Sequence, residues 1–268
     1  MELKNEIKNK KRIVIKVGTS TLTHDTGSLN LRIMDKLAMV LSDIKNKGYD
    51  VVLVTSGSIT AGVAKLRLNE RPKSIKERQA AASVGQCELM FVYDKLLSQY
   101  GQMASQILLT RDITDNDLFR NNIINTFETL LSYGVIPIVN ENDTVAVDEL
   151  VYGDNDTLSA ITATLINADK LIILSDIDGF YDGNPQKKIN AKLIPVIEEI
   201  TLDIENAAGD AGSIVGTGGM ATKIAAAKIA VEAGIDMVIT NGQNLDLLYD
   251  ILDGKQIGTL FKGKKVQI

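Results

Sequence analysis

Histidine and cysteine are almost absent from this chain of 268 residues, which contains one of each, His24 and Cys87. A lone cysteine cannot form an intrachain disulfide, and a thiolate or imidazole zinc site needs several such ligands, so both are excluded. A Ser-His-Asp triad would have to use His24, which we interpret as a solvated loop residue. Lysine, aspartate, asparagine, serine and backbone N–H groups remain. That set suits phosphoryl transfer, which depends on positioning and positive charge more than on a general base.

Aromatic residues are scarce as well, at 4% of the chain, and tryptophan is absent. Proteins that bind single-stranded nucleic acid stack its bases on aromatic side chains, so this composition argues against that class. The net charge of −5, from 29 Lys plus Arg against 34 Asp plus Glu, also disfavours a binder of phosphate backbones. We therefore expect no nucleic-acid partner.

Long apolar runs are missing too. No segment reaches the ~18 apolar residues of a membrane span. Residues 1–12 are charged and lack the apolar core of a signal peptide. We therefore expect a cytoplasmic protein with no membrane partner. Apolar residues still make up 45% of the chain, which is enough for a full core.

Short apolar runs alternate with segments of helical spacing. The runs predict strands at residues 12–17, 50–54, 103–109, 135–139, 170–174, 236–240 and 258–261. Helices are predicted at 31–47, at 76–100 with a break at Gly85, and at 118–132, 157–167, 220–233 and 245–252. This alternation predicts an α/β fold with a mostly parallel sheet and helices on both faces. No linker divides the chain, so we expect one domain with an N-terminal lobe, about 1–153, and a C-terminal lobe, about 154–268.

Polar clusters follow several of these strands in the sequence. They therefore lie at the carboxyl ends of the strands, where parallel sheets bind their ligands. Lys16 ends the first strand and precedes Gly18, a pattern typical of a phosphate nest, although a strand-end lysine can also reach solvent. Ser56 follows the second strand, in a segment that is either a ligand loop or an ordinary capped turn.

Two Asn-Asp-Thr triplets lie further along, at 142–144 and 155–157. Amides and carboxylates of this kind can bind the ammonium and carboxylate of an amino acid, and the second triplet can also be a helix cap.

A glycine-rich segment at 216–219 leads into a helix with Lys223 in its first turn. Because a lysine is unfavourable beside the positive end of the helix dipole, an anion is expected next to it. The segment could instead be a flexible loop with an exposed lysine. Residues 175–181 place serine, aspartate and an aromatic pair after the fifth strand, which could hold a nucleotide base or ribose.

In combination, these segments resemble the amino acid kinase family over nearly the whole chain. The resemblance rests on segments 15–20 (IKVGTS), 54–58 (VTSGS), 82–86 (ASVGQ), 138–143 (IVNEND), 153–156 (GDND), 175–179 (SDIDG) and 216–223 (GTGGMATK), in this order. It implies a three-layer α/β/α sandwich around a mainly parallel eight-stranded sheet. Within the family the chain is most similar to enzymes that use ATP to phosphorylate the side-chain carboxylate of L-glutamate, the first step of proline synthesis.

The resemblance also implies residue roles. Lys16, Lys223 and Asp156 would be catalytic, with Lys16 against the ATP phosphates and Asp156 orienting both lysines. The N-terminal lobe would hold glutamate, through Ser56 and Asp143 and with Asn155, and the C-terminal lobe would hold ATP. The nucleotide contacts would be Lys16, Ser175, Asp176, Thr217, Gly218, Gly219, Met220, Ala221, Thr222 and Lys223. No metal ligand from the chain is predicted, and Mg²⁺ is expected to bridge the ATP oxygens.

The resemblance further implies a homo-oligomer, either dimer or tetramer, and makes proline a candidate feedback inhibitor. Many members of the family continue into a C-terminal PUA domain, which we do not expect in this protein because its sequence ends at Ile268. Its Thr55-Ser56-Gly57-Ser58 also differs from the commoner Ser-Ser-Gly-Ala. Two alternatives stay open. One is another amino acid kinase, such as an acetylglutamate or uridylate kinase, and the other is a non-catalytic amino acid sensor on the same fold.

Overall fold

The structure is a computed structural model that describes residues 11–110, 116–145, 155–183, 185, 190–208 and 219–264, with the backbone of 209–210. Thr217 and Gly218, both predicted to contact ATP, lie outside the described residues. The secondary-structure elements are, in chain order, β1 Arg12–Val17, α1 Thr19–Leu22, α2 Leu31–Asn46, β2 Asp50–Val54, α3 Ser58–Leu66, α4 Ile75–Gln99, β3 Met103–Leu109, α5 Asp117–Ser132, β4 Val135–Glu141, α6 Asn155–Leu165, β5 Lys170–Ser175, β6 Val196–Ile197, α7 Leu202–Asp210, α8 Met220–Glu232, β7 Asp236–Asn241, α9 Leu247–Leu252 and β8 Thr259–Phe261.

The chain divides into two compact units. The N-terminal unit contains Lys11 and the described residues from Val17 to 145, and the C-terminal unit contains Arg12–Lys16 and the described residues from 155 onward. Most of β1 therefore belongs to the C-terminal unit, although it comes first in the sequence.

The N-terminal unit is built on three parallel strands in the order β3-β4-β2. Val54 of β2 is paired with Val139 of β4, so both strands end at the same edge. All five residues of β2 are buried, as expected for a strand covered on both faces. The polar residues that follow β2 and β4 therefore begin at one edge of this unit.

The C-terminal unit has the strand order β1-β5-β7-β8-β6. Strands β5 and β7 are parallel, in a register that pairs Ser175 with Asn241. Strand β8 is antiparallel to β7 and parallel to the two-residue β6. Strands β8 and β6, at the outer part of the unit, therefore both run opposite to β5 and β7.

Two glycines bring α3 and α4 into backbone contact in the N-terminal unit. A Cβ atom on Gly62 would lie 1.8 Å from the Ala81 carbonyl oxygen, and one on Gly85 would lie 1.8 Å from the Ser58 carbonyl oxygen. Only glycine fits at such distances. The predicted break at Gly85 is wrong, because α4 runs through it without interruption, and this glycine serves packing.

The predicted α/β class, with a mainly parallel sheet and helices on both of its sides, is confirmed. The strands at 12–17, 50–54 and 103–109 are confirmed at their predicted bounds. Four elements were not predicted, namely the short α1 and β6 and the nine-residue helices α3 and α7. All four are shorter than the window in which a hydrophobic period is recognised.

Candidate active site

Three buried charged side chains meet in the C-terminal unit. The Asp156 carboxylate has one oxygen 2.6 Å from Lys16 Nζ and the other 3.1 Å from Lys223 Nζ. Asp156 is fully buried, and each lysine is only 5% exposed. We refer to these three residues as the lysine–aspartate trio. The trio carries one net positive charge, from two ammonium groups and one carboxylate.

Each member of the trio is positioned by a different element. Lys16 is the fifth residue of β1, Asp156 lies in the first turn of α6, and Lys223 lies in the first turn of α8. A carboxylate in the first turn is favourable with the helix dipole, which supports the placement of Asp156. Charged groups are rarely buried unless they are paired, and here each lysine is paired with Asp156.

The anion expected beside Lys223 is present within the protein itself. Asp156 compensates the unfavourable position of this lysine at a helix N-terminus. Lys223 is buried within α8, so the interpretation of this lysine as exposed is wrong.

The start of α8 places further predicted residues near the trio. Thr222 Oγ1 lies 2.7 Å from the Gly219 carbonyl oxygen and 3.2 Å from Asp156 Oδ2. Gly219 caps the helix without a side-chain hydrogen bond, and a Cβ there would meet no atom of the described residues within 4 Å. Met220 is buried and Ala221 is exposed.

The segment after β5 is only partly suited to a nucleotide. Ser175 is buried, and its hydroxyl donates to the exposed Asp176 at 3.0 Å. Phe180, one residue of the aromatic pair in this segment, packs in the core, edge-on to Phe261 at 6.4 Å between ring centroids. Phe180 therefore offers no face for stacking.

The predicted glutamate residues are divided between the two units. Ser56 and Asp143 are half-buried in the N-terminal unit, and Asn155 is half-buried at the start of α6 in the C-terminal unit. Asp143 accepts a hydrogen bond of 2.6 Å from Ser58, two residues after Ser56. The structure thus joins the polar segments after β2 and β4 through Ser58.

Two further hydrogen-bonded pairs lie beside these segments. Thr55 Oγ1 and Tyr93 Oη are 2.8 Å apart, and both residues are fully buried. Burial raises the pKa of Tyr93, and the hydrogen bond with Thr55 lowers it by a smaller amount. Asn140 Nδ2 donates to Gln86 Oε1 at 2.8 Å, again between buried side chains.

Ser58, Gln86 and Tyr93 were missed as candidate site residues. Their partners lie 85, 54 and 38 residues away in sequence, so no local pattern joins them. Gln86 and Ser58 do lie within the segments that carry the family resemblance, which was the available hint.

The described part of the chain has neither a metal-binding cluster nor a membrane-spanning helix. No group of three or more His, Cys, Asp or Glu side chains there could hold a metal ion. None of its helices is both long enough and apolar enough to cross a bilayer.

Comparison with solved structures finds the same fold in two enzymes. UMP kinase from Ureaplasma parvum aligns with a TM-score of 0.64 over 95% of this chain and 99% of its own, at 18% identity. UMP kinase from Bacillus anthracis aligns with a TM-score of 0.63 over 94% of this chain and 96% of its own, at 16% identity. At these identities the likeness concerns the fold alone.

Curated relatives are much closer in sequence. The chain is 55% identical to the glutamate 5-kinase of Clostridium perfringens, over 98% of this chain and 99% of that protein. It is 55% identical to the glutamate 5-kinase of Listeria monocytogenes, over 98% of this chain and 97% of that protein. The model of the amino acid kinase family matches residues 11–241. The chain therefore belongs to the amino acid kinase family.

Proposed function

We propose that this protein is a glutamate 5-kinase, which transfers the γ-phosphoryl group of ATP to the side-chain carboxylate of L-glutamate in proline biosynthesis. The lysine–aspartate trio is the observation that carries the phosphoryl-transfer chemistry, because it offers fixed positive charge in a buried setting. The names of the relatives at 55% identity support glutamate as the acceptor.

The reaction needs no general base. A glutamate side chain has an ordinary pKa of about 4.3, so the nucleophile is already ionised at neutral pH. Its oxygen attacks the γ-phosphorus, the bond from that phosphorus to the β-phosphate oxygen breaks, and glutamyl 5-phosphate and ADP result. The chain must cancel charge and align the reacting groups, which lysines and backbone N–H groups can do. The scarcity of histidine and cysteine is compatible with this chemistry.

Roles follow for the C-terminal unit, which we propose binds ATP. Lys16 and Lys223 stabilise the negative charge of the transferring phosphoryl group, and Asp156 holds both ammonium groups in position. Ser175 and Asp176 contact the nucleotide, and Thr217, Gly218, Gly219, Met220, Ala221 and Thr222 form the loop on the phosphate side.

The N-terminal unit is proposed to bind glutamate through Ser56 and Asp143, and Asn155 is assigned to the same ligand by the family resemblance. An aspartate carboxylate suits the α-ammonium group, and a serine hydroxyl or asparagine amide can donate to a carboxylate. Asp143 already accepts a hydrogen bond from Ser58, which supports a fixed orientation for its carboxylate.

Mg²⁺ is proposed to arrive with ATP, where it neutralises charge on the phosphate oxygens. The family resemblance implies no metal ligand from the chain, and we assign none. We further propose a cytoplasmic homo-oligomer that proline inhibits and that binds no nucleic acid.

An acyl phosphate can be trapped with hydroxylamine, which gives a direct test. ATP-dependent hydroxamate formation should be measured with L-glutamate, acetylglutamate and aspartate, each with and without proline, and ADP release should be measured with UMP. We expect activity with L-glutamate and its reduction by proline. Activity with UMP alone, or none with L-glutamate, would overturn the proposal, and glutamate binding without ADP release would favour the sensor.

A further inference from the structure

Ser58 occupies a position that the packing of α3 against α4 defines. It is the first residue of α3 and only 5% exposed. The preceding Gly57 has φ +97°, a left-handed conformation that favours glycine and sets the direction in which the helix begins. The backbone of Gly85 lies directly against the Ser58 carbonyl, so the main chain at Ser58 is confined from one side.

The Ser58 hydroxyl is directed at Asp143. Its Oγ donates to Asp143 Oδ2 over 2.6 Å, a short distance typical of a hydrogen bond to a charged oxygen. Asp143 itself lies in the turn after β4, followed by the exposed Thr144 and Val145. A half-buried aspartate side chain in such a turn can adopt several rotamers. The hydrogen bond from Ser58, whose main chain is held in place by Gly85, favours one of them.

We infer that Ser58 is a positioning residue for the amino-acid substrate, which holds the Asp143 carboxylate in the orientation that receives the ammonium group of L-glutamate. The inference rests on the proposed function and adds a residue to it. Ser58 itself touches Asp143 and not the reacting atoms, so its effect belongs to glutamate binding. Phosphoryl transfer and ATP binding, which we assign to the other unit, should be affected little.

Substitution of Ser58 by alanine tests this role. We expect S58A to raise KM for glutamate about tenfold, equivalent to about 1.4 kcal/mol. We expect kcat and KM for ATP to stay within about twofold of wild type. The matched control is S42A, which removes another buried hydroxyl from the N-terminal unit, one that donates to the Ala38 carbonyl at 2.7 Å within α2. S42A should leave all three constants unchanged.

A double-mutant cycle separates positioning from general structural damage. If Ser58 acts through Asp143, the S58A change should alter KM for glutamate less than twofold in the D143A background. A full tenfold effect in that background, an unchanged KM in the single variant, or an equal rise in KM for ATP would overturn the inference. Absence of glutamate-dependent hydroxamate in the wild type would instead overturn the proposed function, so the two failures are distinct.

Discussion

At the scale of single residues, Asp156 determines the charge balance of the C-terminal unit, because two buried lysines are paired with it. The loss of one lysine leaves the other paired, so the trio becomes neutral and the fold should survive. The loss of Asp156 would leave two buried cations without this carboxylate, which typically destabilises a protein by about 3–5 kcal/mol. The lysines are therefore the better places to test catalysis.

We expect Lys223→Ala to lower kcat by about 10²–10³-fold, because an electrostatic contact to the transferring phosphoryl group is lost. KM for glutamate should change less than about threefold, since the proposed glutamate residues Ser56 and Asp143 belong to the other unit. Initial rates with varied ATP and glutamate measure both effects.

The control for this variant is Lys228→Ala, which changes a lysine on the same helix that pairs with Glu205 at 2.6 Å near the surface. It should retain kcat within about twofold, since exposed ion pairs contribute little. Near-normal turnover in Lys223→Ala would contradict the catalytic role of Lys223.

Tyr93 provides a test by pH. Because burial raises its pKa above the ordinary 10.0, the folded state keeps the phenol proton at a pH where the unfolded chain has lost it. The stability that this tyrosine contributes is thus complete below pH 10 and is lost as the pH rises above it, at up to about 1.4 kcal/mol per pH unit. Urea unfolding at pH 9, 10 and 11 should show a smaller alkaline loss for Tyr93→Phe than for wild type. Parallel losses in the two proteins would refute this linkage.

Residue roles could be inferred from sequence only where a segment resembled the family. The resemblance predicts Lys16, Asp156 and Lys223, and the structure brings these three together. The bond from Ser58 to Asp143 could not be foreseen, because its partners are joined by tertiary packing across 85 residues. The family pattern indicates which segments form the candidate site, but it does not show which of their side chains contact one another.

At the scale of elements, close packing of α3 on α4 explains the glycines at 62 and 85. Gly85→Ala should destabilise the protein by at least about 2 kcal/mol, because the new Cβ would lie 1.8 Å from one backbone atom and 2.4 Å from another. The gain in helix propensity, about 1 kcal/mol, would offset only part of this cost. Thermal or urea unfolding measures the change.

Ser83→Ala is the matched control, since Ser83 is exposed two residues away on α4. It should be neutral or slightly stabilising, because alanine is the better helix former. A Gly85→Ala protein as stable as wild type would show that α3 and α4 can separate without cost, and would weaken the argument that Ser58 is confined.

Helices and strands were predicted correctly where the apolar residues repeat regularly over enough positions to show a helical or strand period. The spacing at 31–47 matches α2, Leu31–Asn46, and the run at 170–174 matches β5, Lys170–Ser175. Gly85 misled the prediction, because a glycine that permits close helix contact looks in sequence like one that ends a helix. The reversed direction of β8 was also unpredictable, since it depends on the pairing partner and not on local residues.

At the scale of the whole molecule, the proposal assigns the nucleotide to the C-terminal unit and glutamate mainly to the N-terminal unit, with Asn155 as the one glutamate contact from the C-terminal unit. The proposed nucleotide contacts that the structure describes lie in β1, at the end of β5 and at the start of α8 in the C-terminal unit, and Ser56 and Asp143 follow β2 and β4 in the N-terminal unit. A ligand that binds only the folded state stabilises it by about 2.7 kcal/mol at a hundred times its Kd, and local openings near the ligand are suppressed first. Each ligand should therefore protect a different set of backbone amides.

Hydrogen exchange followed by mass spectrometry can resolve the two sets. A non-hydrolysable ATP analogue should slow exchange most strongly in peptides that cover Ser175 and Gly219–Lys223, and L-glutamate should do so in peptides that cover Ser56–Ser58 and Asn140–Asp143. The Lys223→Ala variant, with its weakened phosphate contact, should show less protection by the analogue and unchanged protection by glutamate. Protection of the Ser56–Ser58 peptides by the analogue alone, with none at Gly219–Lys223, would reverse the assignment of ligands to units. This experiment needs no turnover, so it tests the placement of each ligand separately from the chemistry that follows.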